Sequence, residues 1–93
     1  MITYIILRRS GWSSPEQLRA AAARSEAAGE DMTDEIRWIR SYVMEEHSGA
    51  LGTVCIYQAT DPEAIRRHAD IAVLPVDEII PVMDTVVKRP DTQ

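Results

Sequence analysis

Apolar and polar positions along this chain fall into separate blocks, each with its own period. Thr3 to Arg8 (TYIILR) is a short run rich in β-branched and aromatic residues, too short for a helix, and predicts a first strand. Arg9 to Ser13 follows as a loop, and its Trp12 is expected to fold back over a pocket or partner surface. Ser14-Pro15-Glu16-Gln17 reads as a helix start: Ser14 as N-cap, Pro15 at the first helical position, Gln17 completing a capping box. The helix then runs through LRAAAARSEAAG with a narrow stripe of small residues, Leu18, Ala21, Ala22 and Ser25, and Gly29 is the expected C-cap.

Glu35 to Met44 (EIRWIRSYVM) is the longest strand candidate. Strict alternation places Ile36, Trp38, Arg40, Tyr42 and Met44 on one face, and Arg37, Ile39, Ser41 and Val43 on the other. Neither set is cleanly polar, so both faces are expected to be at least partly covered, one of them by a partner subunit. Glu45 to Gly52 is a hairpin connection, and Thr53 to Ala59 (TVCIYQA) a third strand with Thr53, Cys55 and Tyr57 on one face. Asp61-Pro62 repeats the helix-start chemistry, and Ile65, His68, Ala69 and Ala72 then recur at i, i+3, i+4 and i+7 as a core-facing stripe. Leu74-Pro75 breaks this helix. Glu78 to Val87 predicts a fourth strand, and Pro81 within it, which cannot donate to a ladder, makes it an edge strand.

The order β-α-β-β-α-β predicts an α+β, ferredoxin-like fold: a four-stranded antiparallel sheet with both helices on one face, dimerising through the other. Residues 1–87 are expected to form one domain and residues 88–93 a polar, fraying C-terminal tail.

Composition narrows the function classes. A net charge of −5 argues against a nucleic-acid surface, which is normally basic. The doublets Arg8-Arg9 and Arg66-Arg67 read as solvated rims of a strand end and a helix, with an anionic-ligand clamp as the alternative. No apolar run approaches a membrane span, and the N-terminus does not resemble a signal peptide, so a cytoplasmic location is expected. A lone Cys55 cannot form an internal disulfide.

Chemistry centres on His68. An imidazole on an apolar helix stripe is either a core residue satisfied by a carbonyl or hydroxyl, or a proton donor, acceptor or metal ligand tuned by the Tyr42, Tyr57 and Cys55 of the sheet. His47, in the hairpin loop, is expected to face solvent. No His-x-x-x-His, Cys-x-x-Cys, glycine-rich phosphate loop or Gly-x-Ser-x-Gly elbow is present, so no complete metal or nucleophile signature exists.

Four segments taken together are similar to a small bacterial family of nickel-binding proteins. They are Trp38-Ile-Arg-Ser-Tyr42-Val, Val54-Cys55-Ile-Tyr57-Gln-Ala, Pro62-Glu-Ala-Ile-Arg-Arg-His68 and Leu74-Pro-Val-Asp77-Glu78-Ile79. The resemblance runs from Tyr4 to Val82 and implies a ferredoxin-like homodimer that binds Ni2+ or another divalent metal. His68, Cys55 and the Asp77-Glu78 pair are the matching positions. Leu7, Arg8 and Arg9 stand where metal-binding members carry an acidic residue or histidine, and Ala72 where many carry a second helix histidine.

Two functional expectations follow. One is a metal binder holding a divalent cation weakly near the second helix on His68 and Cys55. The other is a small dimeric α/β-barrel enzyme, of isomerase or cyclase type, moving protons on an apolar metabolite. There His68 would be the acid/base, Tyr42 and Tyr57 hydrogen-bond donors, and Trp38, Arg8, Arg40 and Cys55 the pocket, an arginine anchoring any anionic group. Both imply a homodimer, and the second a small-molecule ligand; neither involves nucleic acid or membrane.

Overall fold

The computed structural model describes residues 1–91. Strand β1 (Ile2–Trp12), helix α1 (Pro15–Glu30), β2 (Ile36–Glu45), β3 (Leu51–Ala59), α2 (Pro62–Ala72) and β4 (Glu78–Pro81) follow in the expected order. The sheet runs β2-β3-β1-β4 with every pairing antiparallel, which is the ferredoxin-like α+β arrangement. Its core is built from Tyr4 and Ile6 of β1, Tyr57 and Ala59 of β3, and Ala64 and Ile65 of α2.

Local chemistry sets the helix ends. Ser14 Oγ accepts from the Gln17 N–H at 3.2 Å, as the motif requires. The Gln17 side chain reaches back one residue further than a standard capping box, accepting from Ser13 N–H and Ser13 Oγ at 2.9 Å each. Helix α1 continues past Gly29 and is capped by Asp31 in right-handed geometry, so no glycine-specific cap is used. In α2, Asp61 Oδ1 accepts from Ala64 N–H at 2.8 Å. The helix stops at Ala72 because Pro75 pushes Leu74 toward extended geometry, and Val73 absorbs the turn with a φ of 56°. A β-branched residue is strained there, and the turn is held by Leu74 N–H donating to Ala69 O and by Arg24 Nε donating to Ala72 O, both at 2.8 Å.

Three strand expectations need correction. First, β1 extends past Arg8 to Trp12, because Ser10 takes a φ of 50° and the ladder slips between Arg8, opposite Thr53, and Trp12, opposite Leu51. The Glu46 carboxylate holds the bulge, accepting from Ser10 N–H, from Ser10 Oγ at 2.8 Å and from Arg9 Nε at 2.7 Å. Those bonds hold the Glu46 carboxyl below its ordinary value, with the Arg9 side chain the largest cause.

Second, β2 does not alternate strictly. Trp38 stands opposite Tyr57, but the next pair is Arg40 with Ile56, so Ile39 is an inserted residue. Everything beyond it changes face. Ser41 and Val43, opposite Cys55 and Thr53, join Trp38 on the helix side, whereas Arg40 and Tyr42, opposite Ile56 and Val54, lie on the open side.

Third, β4 ends at Pro81 instead of Val87. Tyr4 stands opposite Pro81, so β1 runs out of residues within a few positions, and the ladder finishes with Val82 N–H donating to Thr3 O. The edge position expected from Pro81 is observed. Residues 83–91 form no strand or helix, and the rest of the expected tail, residues 92 and 93, lies outside the described residues. No helix among the described residues is long and apolar enough to cross a membrane.

Candidate ligand site between the first helix and the sheet

The small-residue stripe of α1 does not close down on the sheet. Leu18, Ala21, Ala22 and Ser25 roof a largely apolar cavity of about 240 Å3, floored by Arg8, Thr53, Cys55 and Tyr57 and flanked by Trp38 and Val43. Trp12, at the end of β1, is 7% exposed and is among the residues lining this cavity. An adjoining open groove runs between α1 and β2 past Gly29, Thr33 and His68, sharing Ser25, Trp38 and Tyr57 with the cavity.

His68 points inward and is 1% exposed. Its Nε2–H donates to the Ser25 carbonyl at 2.9 Å, because a carbonyl can only accept. The tautomer is therefore set, and Nδ1 carries a lone pair that is buried without a hydrogen-bond partner. The ring meets Tyr57 edge-on at 5.6 Å between centroids, and the Tyr57 hydroxyl shares a 3.0 Å hydrogen bond with Ser25 Oγ. Burial lowers the His68 pKa below its ordinary 6.5, opposed by the bond to Ser25 and reinforced by the charge of Arg8. Burial likewise raises the Tyr57 pKa, partly offset by its bond to Ser25.

This neutral imidazole makes stability depend on pH. A histidine released by unfolding takes up a proton below 6.5, whereas the folded one resists it. Stability should thus be full above pH 6.5, fall as pH drops toward the depressed folded value, and level off beneath it. Arg8 from β1, Tyr57 from β3 and Ser25 from α1 are the groups acting on the ring. Urea midpoints measured between pH 7.5 and 5.5 should slope downward for the wild type and lose that component in His68→Gln. The Glu46 contribution lies in a separate window, lost only as pH falls below 4.5.

Arg8 overturns the solvated-rim expectation. It is 1% exposed and among the largest fully buried side chains. Its Nη1 donates to the Pro75 carbonyl at 2.7 Å, yet Nη2 is buried with no hydrogen-bond partner. None of the ion pairs among the described residues involves it. Arg9, Arg66 and Arg67 behave as expected of rims: Arg9 pairs with Glu46, Arg66 with Glu63 and Arg67 with Glu35, all on the surface.

Cys55 belongs to a hydrogen-bond chain along the cavity floor. Trp38 Nε1 donates to Ser41 Oγ at 2.9 Å, Ser41 Oγ to Cys55 Sγ at 3.1 Å, and Cys55 Sγ to Thr53 Oγ1 at 3.4 Å. Trp38 also stacks on Tyr57 with centroids 6.1 Å apart.

The fold therefore brings together Arg8, Trp38, Cys55, Tyr57 and His68 on the helix side of the sheet. It separates them from Tyr42, which is 48% exposed on the open face, whereas Arg40, opposite Ile56, lines only the adjoining groove, together with His68 and Trp38. The trio His68, Tyr42 and Tyr57 is not assembled within one chain. Ser25, Ser41 and Thr53 also line the cavity, and for Ser41 and Thr53 nothing in the sequence distinguishes them from ordinary strand residues. Ser25 carried a signal, as the one hydroxyl in an otherwise apolar stripe.

The donor set does not suit a divalent cation. Among the described residues no group of three or more histidine, cysteine or carboxylate side chains converges. Nε2 of His68 is committed to Ser25, Asp77 accepts from the Arg9 N–H, and a buried guanidinium stands beside the remaining candidates. Its positive charge opposes a second cation in a poorly screened site.

The crystal structure of SCO4226 from Streptomyces coelicolor A3(2) superposes with a TM-score of 0.72 at 20% identity, over 90% of this chain and 99% of that one. At that identity the likeness shows the fold. Rv0793 from Mycobacterium tuberculosis is a looser match, with a TM-score of 0.42 at 14% identity over 96% of this chain and all of its own. No curated protein matches the chain significantly in sequence. A family model, described as nickel responsive protein SCO4226-like, matches residues 4–82, nearly the whole ordered fold. The chain belongs to the SCO4226-like, nickel-responsive family.

Proposed function

We propose that this chain is a small-molecule-binding member of its family, taking a mostly apolar organic ligand of about one ring into the cavity beneath α1. The observation that carries the reading is the cavity itself: about 240 Å3, apolar in the main, with a few buried polar groups at its floor. That is somewhat larger than the ~150 Å3 hole known to accept benzene, and ligand pockets characteristically combine apolar walls with a few placed polar groups. The working unit in this reading is a homodimer joined through the open sheet face. There Ile5, Leu7, Val54 and Ile56 are only half-buried and Tyr42 is exposed, so the uncovered strip is apolar.

The family match favours a second reading, nickel binding. Among the described residues of one chain, only His68 and Cys55 are core donors, so a second copy would need to complete the ligand set.

One experiment separates the two. Purified protein is titrated with benzyl alcohol and, separately, with nickel chloride, following heats and the fluorescence of Trp12 and Trp38. Benzyl alcohol should bind with an affinity on the order of millimolar, and filling the roof with Ala22→Phe should abolish it. No response to the alcohol, together with nickel heats that disappear in His68→Ala, would put the metal reading in its place.

A further inference from the structure

The least covered apolar side chains lie beyond the β4 edge of the sheet. Met83, Val86 and Val87 are 101%, 92% and 71% exposed, in a stretch, Val82-Met-Asp-Thr-Val-Val87, whose β-branched residues favour a strand. β4 nevertheless stops at Pro81. Val82 N–H already donates to Thr3 O, so β1 is almost exhausted as a partner while strand-forming sequence continues. On extended parity Met83 and Val87 fall on one side of this stretch and Val82 and Val86 on the other, so each side carries apolar residues.

The opposite edge of the sheet offers the complement. β2 is ten residues long, pairs only with β3, and its outer backbone edge has no strand against it among the described residues. A long free edge is a template for another strand. Arg37 and Arg40 of β2 are exposed and, like Asp84, belong to no ion pair among the described residues.

We propose that residues 82–87 are an arm that adds a strand to the free edge of β2 in a second copy of this chain, each copy giving one arm and receiving one. The inference rests on the homodimer of the preceding reading and names the segment that locks it. The arm's own β2 is not the acceptor, because β1 and β3 stand between β4 and β2. Direction fits a second copy. β2 runs parallel to β1, and β4 runs antiparallel to both. A two-fold axis along the strands, with open faces together, therefore sets β4 of one copy beside β2 of the other in the opposite sense, the antiparallel relation a shared ladder needs. Six extended residues reach about 20 Å, enough to pair along roughly half of β2. Main-chain hydrogen bonds supply the attachment, the arm's apolar side chains leave water, and Asp84 gains an arginine partner. Reciprocal exchange uses both arms and both β2 edges, so assembly closes at two copies.

Sedimentation equilibrium and hydrogen exchange on the full chain test the arm. Two variants accompany the wild type: one ending at Val82, and the full-length Met83→Asp/Val87→Asp. The wild type should be a dimer, with amides of residues 83–87 and of the outer edge of β2 protected. Both variants should dimerise roughly 10-fold or more weakly and lose protection at that edge, while circular dichroism shows the fold retained. Variants that dimerise as tightly as the wild type leave the homodimer standing but overturn the arm. Protection of 83–87 in a monomeric wild type means that the arm folds back on its own chain, which overturns both the exchange and the homodimer. A wild type that stays monomeric with those amides exposed does the same.

Discussion

Arg8→Met should melt at a higher temperature than the wild type, although it deletes a buried side chain and a hydrogen bond. The guanidinium is fully buried and, among the described residues, belongs to no ion pair and leaves Nη2 without a hydrogen-bond partner. Replacing buried ionic groups with apolar side chains of similar volume stabilises some proteins by about 1–4 kcal/mol, and methionine follows the same unbranched path with no charge to desolvate. The opposing contribution is the 2.7 Å bond to Pro75 O, but Pro75 is exposed, so its carbonyl can turn to water. For a domain of this size, each kcal/mol shifts the midpoint by about 4–8 °C, so the gain should be plain in a thermal scan without ligand. Arg8→Ala should gain less, because it enlarges the cavity instead of filling it. A clear drop in the Arg8→Met midpoint would identify the guanidinium as a strut for the loop after α2. A rise is the pattern of a residue kept for binding at the expense of stability.

Gly52→Ala should destabilise the fold by about 1–3 kcal/mol or more, by overpacking against backbone. A Cβ at this position would lie 2.7 Å from Arg8 O and 3.2 Å from Ser10 N, both main-chain atoms of the bulge, as well as 2.7 Å from the Glu46 carboxylate. The carboxylate could rotate away, but only by giving up its bonds to Ser10 and Arg9, and Arg8 O cannot move without shifting β1. The substitution acts on the segment that sets the direction of both Arg8 and Trp12, so ligand affinity should weaken along with stability. Chemical denaturation of Gly52→Ala checks the first effect, and Ala50→Gly, a change in the same hairpin, serves as the comparison. A Gly52→Ala protein as stable as wild type would mean that the bulge yields easily and does not pin the strand pair.

Much of the site was written in one dimension. Alternation along β1 assigns Tyr4, Ile6 and Arg8 to a single face, so the inward course of Arg8 was available from its parity; reading the Arg8-Arg9 doublet as one unit concealed it. The helical stripe of α2 likewise put His68 against the sheet, where it is found. By contrast, the face of Tyr42 was not available. The residue that reverses β2 is Ile39, an ordinary strand former, and nothing in its identity separates an inserted position from a paired one.

The order of elements, both helix starts, the edge position of Pro81 and the inward imidazole follow from the sequence alone, because each depends on local sterics, capping or the period of apolar residues. The tertiary structure decided which face Tyr42 takes, how far β4 runs, and that small residues on α1 leave room above an unpaired guanidinium. Those depend on register and on the distance between layers, which are set by whatever chain lies opposite and are not encoded in any single segment.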